Sequence, residues 1–330
     1  MNKGGRPGLA AVLGKRAYRR LWLAQTVSRW GDAFATVALV VLVFRLTGSG
    51  LGVTGAVIAE ILPVLLLAPV AGVVVDRLPR VRVMVAADLW RMGLASFAVS
   101  ALVLARLRLP DHPLPASSGS WRGRVGEGVR LLVASRLLRL LALVQLLAAL
   151  SAGATSALLV VLAGRRLGVG PGGFGLLLGA IGVGAAIGPL LLARLTSNPR
   201  RPGLVFGPLL LRGGVDLVLA TVRSLPVALG ALVGYGVGTS TGMVTYNALL
   251  QAEVPAGARG RVFAGFDLLW QAGRLASLAL GGVAADVMGV QAVYALGGGL
   301  LLVAGTVGLA GLTRGGDGRL GRVRSPDGWR

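Results

Sequence analysis

The feature that most constrains this chain is a succession of about nine apolar stretches, each long enough to cross a membrane. They cover roughly residues 22–44, 51–75, 83–106, 137–163, 173–195, 203–221, 226–250, 260–284 and 289–312. A helix needs about 20 mainly apolar residues to cross the hydrocarbon core of a bilayer. Backbone groups in lipid must be satisfied within the spanning structure, which helices achieve. The sequence therefore predicts an all-α, polytopic membrane protein.

Composition agrees with this prediction. The chain is 55% hydrophobic and 14% charged, and its mean hydropathy is +0.77. A soluble protein of this size could not cover its surface with so few polar side chains. The 53 glycines also suit membrane helices, where small residues allow close packing. We expect the lipid bilayer as a partner and a cell membrane as the location.

The net charge of +22 raises the alternative of nucleic-acid binding, because basic surfaces attract phosphates. The basic residues, however, fall in short clusters between apolar stretches. Such clusters are typical of cytoplasmic loops in membrane proteins. The sequence therefore predicts no nucleic-acid partner.

Few residues are available for catalysis or metal binding. The chain has no cysteine, and its one histidine, His112, lies in the Pro-rich loop LPDHPLP. The segment GTSTG at 238–242 has the spacing of a hydrolase elbow, but that elbow needs a strand before it and a histidine partner. No phosphate-binding Gly-Lys-Ser/Thr sequence occurs either. We predict no enzyme activity, no cofactor and no metal site. Any energy that the protein uses would come from an ion gradient or a partner.

A polar interruption divides the chain. Residues 107–136 form a linker rich in Pro, Ser, Gly and Arg, after a three-helix segment at 22–106 and before a six-helix segment at 137–313. Residues 1–21 are a basic tail expected in the cytoplasm. Residues 314–330 are basic and Gly-rich, which predicts disorder.

Ionisable residues within the apolar stretches are candidates for function, because charges at membrane depth are costly. Glu60, in IAEILP, Asp32 and Arg29 are candidate proton or substrate sites. A carboxylate in a low-dielectric cavity can exchange protons near neutral pH. Candidate ion pairs share a helical face: Arg29 with Asp32, Asp88 with Arg91, and Asp267 with Arg274. Asp216 is a further intramembrane acid. A ladder of glycines, Gly230, Gly234, Gly238 and Gly242, predicts close helix packing.

One charged stretch, GVVVDRLPRVR at 72–82, separates the second and third apolar segments. It resembles the Gly-x-x-x-Asp-Arg-x-x-Arg signature of the major facilitator superfamily, with Gly72, Asp76, Arg77 and Arg80 at the signature positions. The stretches RRLWLAQTVSRWGDAFATVAL, FRLTGSGLGVTG, RRLGVGPGGFGLLLGAIGVGAAIG and LLQAEVPAGARGRVFAG resemble its bacterial drug and siderophore exporters, which include macrolide-efflux and enterobactin-exporter relatives.

This resemblance implies a two-bundle fold, incomplete here because about three helices of the first bundle are missing. It also implies a cytoplasmic gate loop at Gly72–Arg80 and a secondary active transporter. The expected function is efflux of small amphipathic molecules, of the drug or siderophore class, by proton-coupled alternating access as an antiporter. The alternative is a non-transporting membrane remnant or interaction module, inactive through truncation. Half a bundle also exposes surface that a second copy of the chain would cover.

The topology contains a conflict. Basic residues near the N-terminus place it inside, so three crossings would put the linker outside, yet the linker is itself basic. Three resolutions remain: one segment, above all the third, does not span; the second bundle is inverted; or the chain is the remnant of a deleted or mis-assembled gene. The sequence leaves these alternatives open.

Overall fold

The computed structural model describes residues 35–62, 135–195, 198, 201–254 and 259–313. Within these ranges the chain forms nine helices and no strand. Their bounds are α1 Ala35–Thr47, α2 Gly50–Leu62, α3 Arg136–Ala157, α4 Leu159–Arg165, α5 Pro171–Leu195, α6 Pro202–Thr221, α7 Leu225–Glu253, α8 Arg259–Val287 and α9 Val290–Thr313. The predicted all-α class is confirmed for the described part of the chain.

Each of the six apolar segments after the linker is helical, and the predicted ends agree with the observed ends to within a few residues. The segment 137–163 differs in being two helices, α3 and α4, separated at Leu158. The hydroxyl of Tyr294 donates a 2.7 Å hydrogen bond to the carbonyl of Thr155 in the last turn of α3. This carbonyl would otherwise accept from the amide four residues later, so the competing donor accounts for the break.

Five of the described helices, α3, α5, α6, α7 and α9, are long and apolar enough to cross a membrane. Helix α8 is long enough, but Gln271, Arg274 and Ser277 dilute its apolar surface. Helices α1 and α2 are apolar and shorter over their described residues. The described residues therefore form a multi-pass membrane protein in which α8 is the most polar long helix.

The chain divides into two compact units, Met1–Leu39 with Ile61–Ser118, and Val40–Glu60 with Gly119–Arg330. The first unit is described here only at residues 35–39 and 61–62. All contacts given below lie within the second unit. In it, α7 packs along α5 and α6, α6 along α9, and α3 along α8 and α9.

The large apolar side chains of the second unit concentrate at one end, where α3, α6 and α8 begin and α7 and α9 end. We call this group the basal core. Phe206, Leu249 and Phe266 are almost completely buried in it. Tyr246 packs edge-on against Phe266 with ring centroids 6.0 Å apart, and its hydroxyl donates to the carbonyl of Leu141 at 3.3 Å. Several helix ends are thereby joined by bulky side chains.

Glycines allow the backbones of α5 and α7 to touch. A Cβ at Gly184 would overlap the carbonyl of Val233, and one at Gly236 would overlap the carbonyl of Ile181. The predicted ladder on α7 faces a different neighbour. Gly234, Gly238 and Gly242 lie against α6, whereas a Cβ at Gly230 would meet open space. Helix α7 therefore uses glycine toward two helices at once.

Candidate functional site

A buried carboxylate lies in the interior of the second unit. Asp216, on α6, is 0% exposed. The hydroxyl of Ser151, on α3, donates to its Oδ2 across 3.5 Å, and its Oδ1 has no hydrogen-bond partner among the described residues. Arg212, one helical turn earlier, is only 7% exposed and supplies the main attractive charge on Asp216. A buried charge of this kind is stable only with such compensation.

The guanidinium of Arg212 is held by an aromatic ring on α7. Its Nη2 donates to the hydroxyl of Tyr235 at 3.1 Å, and its central carbon lies 4.8 Å from the ring centroid. This combines a hydrogen bond with a cation–π contact. The stem of Arg212 lies against Gly238, where an added Cβ would be 2.8 Å from its Cγ. The glycine therefore makes room for the arginine between α6 and α7.

Helix α9 closes the other side of the carboxylate. Tyr294 is buried and bonds to Thr155, whose own hydroxyl donates to the carbonyl of Ser151 at 3.0 Å. An added Cβ at Gly297 would lie 2.8 Å from the Thr155 methyl group and 3.1 Å from the Ser151 hydroxyl. Polar side chains of α3 and a glycine of α9 thus pack closely around Asp216.

The polar interior extends to α2 and α8. Arg274, on α8, is partly exposed, and the charge of Glu60 on α2 acts on it. Tyr235, on α7, contacts Arg212. We call the series Glu60, Arg274, Tyr235, Arg212, Asp216 and Ser151 the polar chain. It runs from an exposed carboxylate to a fully buried one through helices that are otherwise apolar.

A family comparison decides how this arrangement is to be interpreted. The sequence model of the Major Facilitator Superfamily matches residues 141–326, more than half of the chain. The chain belongs to the Major Facilitator Superfamily. A second family model, described as a transmembrane secretion effector, matches residues 8–111. No curated protein and no solved structure matches the chain.

Membership of the Major Facilitator Superfamily makes this chain a membrane protein of a transporter family. In such carriers, binding sites lie near the midplane of the bilayer between helices of different repeats. In the polar chain, Glu60 comes from a helix before the linker and the other members come from helices after it. The superfamily as a rule does not consist of enzymes.

Several predicted site residues lie outside the described ranges and stay predictions. They are the candidates Arg29 and Asp32, the pair Asp88 and Arg91, and the gate-loop residues Gly72, Asp76, Arg77 and Arg80. Among the candidates that the structure describes, Glu60 lies near enough to Arg274 for its charge to act on the guanidinium. Asp267 and Arg274, which both lie within the described residues, do not form an ion pair with each other.

Sequence reasoning missed Arg212, Tyr235 and Tyr294. One signal was present: Arg212 and Asp216 are four residues apart in an otherwise apolar stretch, the spacing at which opposite charges meet on a helix. The two tyrosines gave no such signal, because an isolated tyrosine in an apolar helix is also common at a membrane interface.

Proposed function

We propose that this chain is a secondary active transporter that exports small amphipathic molecules, of the drug or siderophore class, in exchange for protons. The observation that carries the proposal is the match of residues 141–326 to the Major Facilitator Superfamily, together with ionisable side chains such as Glu60 and Arg274 within apolar helices. The match of residues 8–111 to a transmembrane secretion effector supports the outward direction. Among the described residues, the polar chain is the part best suited to couple export of the molecule to entry of protons.

Protonation of Glu60 removes the negative charge that acts on Arg274. Glu60 is exposed and Arg274 is partly exposed among the described residues. Loss of the attraction frees α2 to move relative to α8, and a conformational change of this kind needs only a difference in charge pairing between two states. The buried end of the polar chain, at Asp216, keeps Arg212 and Tyr235 in place while this occurs.

The test is transport by the purified chain in proteoliposomes with an imposed pH gradient. Ethidium serves as the amphipathic probe, and a trapped pH-sensitive dye reports proton movement. We expect ethidium flux coupled to proton flux, abolished in Glu60→Gln and in Arg274→Gln. Glu253→Gln, which changes a carboxylate at the end of α7, is the matched control and should retain flux.

Ethidium flux that persists in Glu60→Gln, with proton flux unchanged, would remove Glu60 from the coupling mechanism. No flux of ethidium or of a panel of chemically diverse amphipathic dyes, from a correctly inserted chain, would favour the alternative of a non-transporting membrane remnant or interaction module.

A further inference from the structure

A second polar cluster lies away from the polar chain, where α8 ends. Asp286 accepts three hydrogen bonds from the start of α2. The Ser49 hydroxyl donates to Oδ2 at 2.6 Å, the Gly50 amide to Oδ1 at 2.8 Å and the Leu51 amide to Oδ2 at 2.9 Å. These amides belong to the first turn of a helix, where they have no partner within the helix. A carboxylate from another helix therefore caps α2.

Arg165, the last residue of α4, completes the cluster. Its Nη1 lies 3.8 Å from Asp286 Oδ1, and its Nη2 donates to the carbonyl of Gly48. Asp286 lies beyond the predicted span 260–284. Partial burial acts to raise its pKa, but the hydrogen bonds from Ser49, Leu51 and Gly50 and the charge of Arg165 together hold this pKa below its ordinary value. The carboxylate is thus charged while it holds α2.

The backbone at this point is shaped for close contact. Gly48 has φ +62°, a left-handed conformation that favours glycine. An added Cβ at Gly50 would lie 2.9 Å from the Cβ of Ala285 and 3.2 Å from Leu158. One at Gly282 would overlap the hydroxyl of Thr54, which is 0% exposed. The turn between α1 and α2 is therefore seated directly on α8.

The cluster also fixes a membrane face. The end of α1, the end of α4 and the end of α8 all meet there, so α3 begins at the opposite face, with the basal core. Among the described residues, arginines are more numerous at that opposite face: Arg136, Arg139, Arg194, Arg201, Arg259 and Arg261, against Arg45, Arg165, Arg166 and Arg223 at the cluster. By the positive-inside rule, the cluster is extracellular.

We propose that Ser49, Arg165 and Asp286 form an extracellular latch that holds the start of α2 against α4 and α8 and closes this face of the protein. The latch opens when the α1–α2 turn leaves Asp286, which exposes Thr54. Opening of this face to release a transported molecule requires these contacts to break. The latch does not depend on which substrate or coupling ion is used.

Accessibility of Thr54 tests the latch. Because the chain has no cysteine, Thr54→Cys gives a single thiol, which is labelled in intact cells with a small membrane-impermeant methanethiosulfonate. We expect slow labelling with the latch intact. Asp286→Asn or Arg165→Gln should raise the labelling rate by about tenfold or more, since hydrogen bonds to a charged group are lost. Arg223→Gln, on the same face but outside the cluster, is the matched control and should leave the rate unchanged.

Ser49→Ala removes a single hydrogen bond and carries the test if Asp286→Asn does not accumulate in the membrane. An unchanged labelling rate in a well-inserted latch variant would overturn the proposal. A rise seen only after the membrane is permeabilised would overturn the extracellular assignment. Because the readout is labelling, a chain that fails to transport ethidium can still confirm the latch.

Discussion

Arg212 and Tyr235 are joined twice: the Nη2 of the arginine donates to the tyrosine hydroxyl at 3.1 Å, and its guanidinium carbon lies 4.8 Å from the ring centroid. The two contacts make different demands on residue 235. The hydrogen bond needs an oxygen, whereas the cation–π contact needs only the ring.

Substitution of Tyr235 separates the two contacts. Tyr235→Phe removes the acceptor and should lower the free energy of unfolding by about 1.5–3 kcal/mol, the range for a hydrogen bond to a charged group. Tyr235→Leu removes the ring as well and should cost about 0.5–2 kcal/mol more. Thermal unfolding in detergent measures both. Equal stability of the two variants would show that the ring does not stabilise the arginine.

Removal of the buried carboxylate should be more costly. Asp216→Ala leaves Arg212 buried without its opposite charge, and the expected loss is about 3–5 kcal/mol. The double variant Arg212→Met/Asp216→Leu, which replaces both charges by apolar side chains, should be more stable than Asp216→Ala. A double variant as unstable as the sum of the single changes would argue against coupling between these two residues.

Two glycines on α9 provide a matched pair. Gly297→Ala places a methyl group 2.8 Å from the Thr155 methyl group, so we expect a loss of about 1–3 kcal/mol from overpacking. Gly299→Ala has open space around the added Cβ, and alanine is a better helix former than glycine. Unfolding temperatures in the same detergent should fall for the first and stay level or rise for the second.

The latch should be insensitive to physiological pH. The pKa of Asp286 is held below its ordinary value of 3.8 when the latch is closed. A carboxylate whose pKa is depressed in the closed latch stabilises the closed state at pH values above its free pKa. This stabilisation is lost as the pH falls through the depressed pKa. Labelling of Thr54→Cys, divided by labelling of the exposed Ser224→Cys, should therefore be constant between about pH 5.5 and 8. A rise at the acid end of this range would mean that another group opens the latch.

The orientation of the second unit can be measured directly. Ser135 lies at the start of α3, at the face opposite the latch, and Ser224 lies at the start of α7, at the latch face. We expect an impermeant thiol reagent to label Ser224→Cys in intact cells and to label Ser135→Cys only after permeabilisation. The reverse pattern would favour the inverted insertion among the alternatives that the sequence left open.

The helices after the linker could be predicted because their apolar length is a property of each segment alone. The polar chain could not, since its members come from α2, α3, α6, α7 and α8, and sequence spacing relates only residues on one helix. Glu60 was found because a carboxylate in an apolar stretch is conspicuous. Its neighbour Arg274 was identified, but with Asp267 on the same helix considered as the partner. Similarly, the glycine ladder was visible on α7, whereas the tighter contacts at Gly184 and Gly236 depend on how α5 is placed.

The basal core and the latch lie at opposite ends of the second unit, and they are built differently. Phe206, Leu249 and Phe266 fill the basal core with bulky side chains, whereas the latch joins glycines and a few polar groups. Variants at the basal core should therefore reduce the amount of folded protein in the membrane. Variants at the latch should instead make the protein leaky to solutes. A survey of inherited or selected substitutions in this chain would then sort by position into two phenotypes, loss of abundance at one face and leakage at the other.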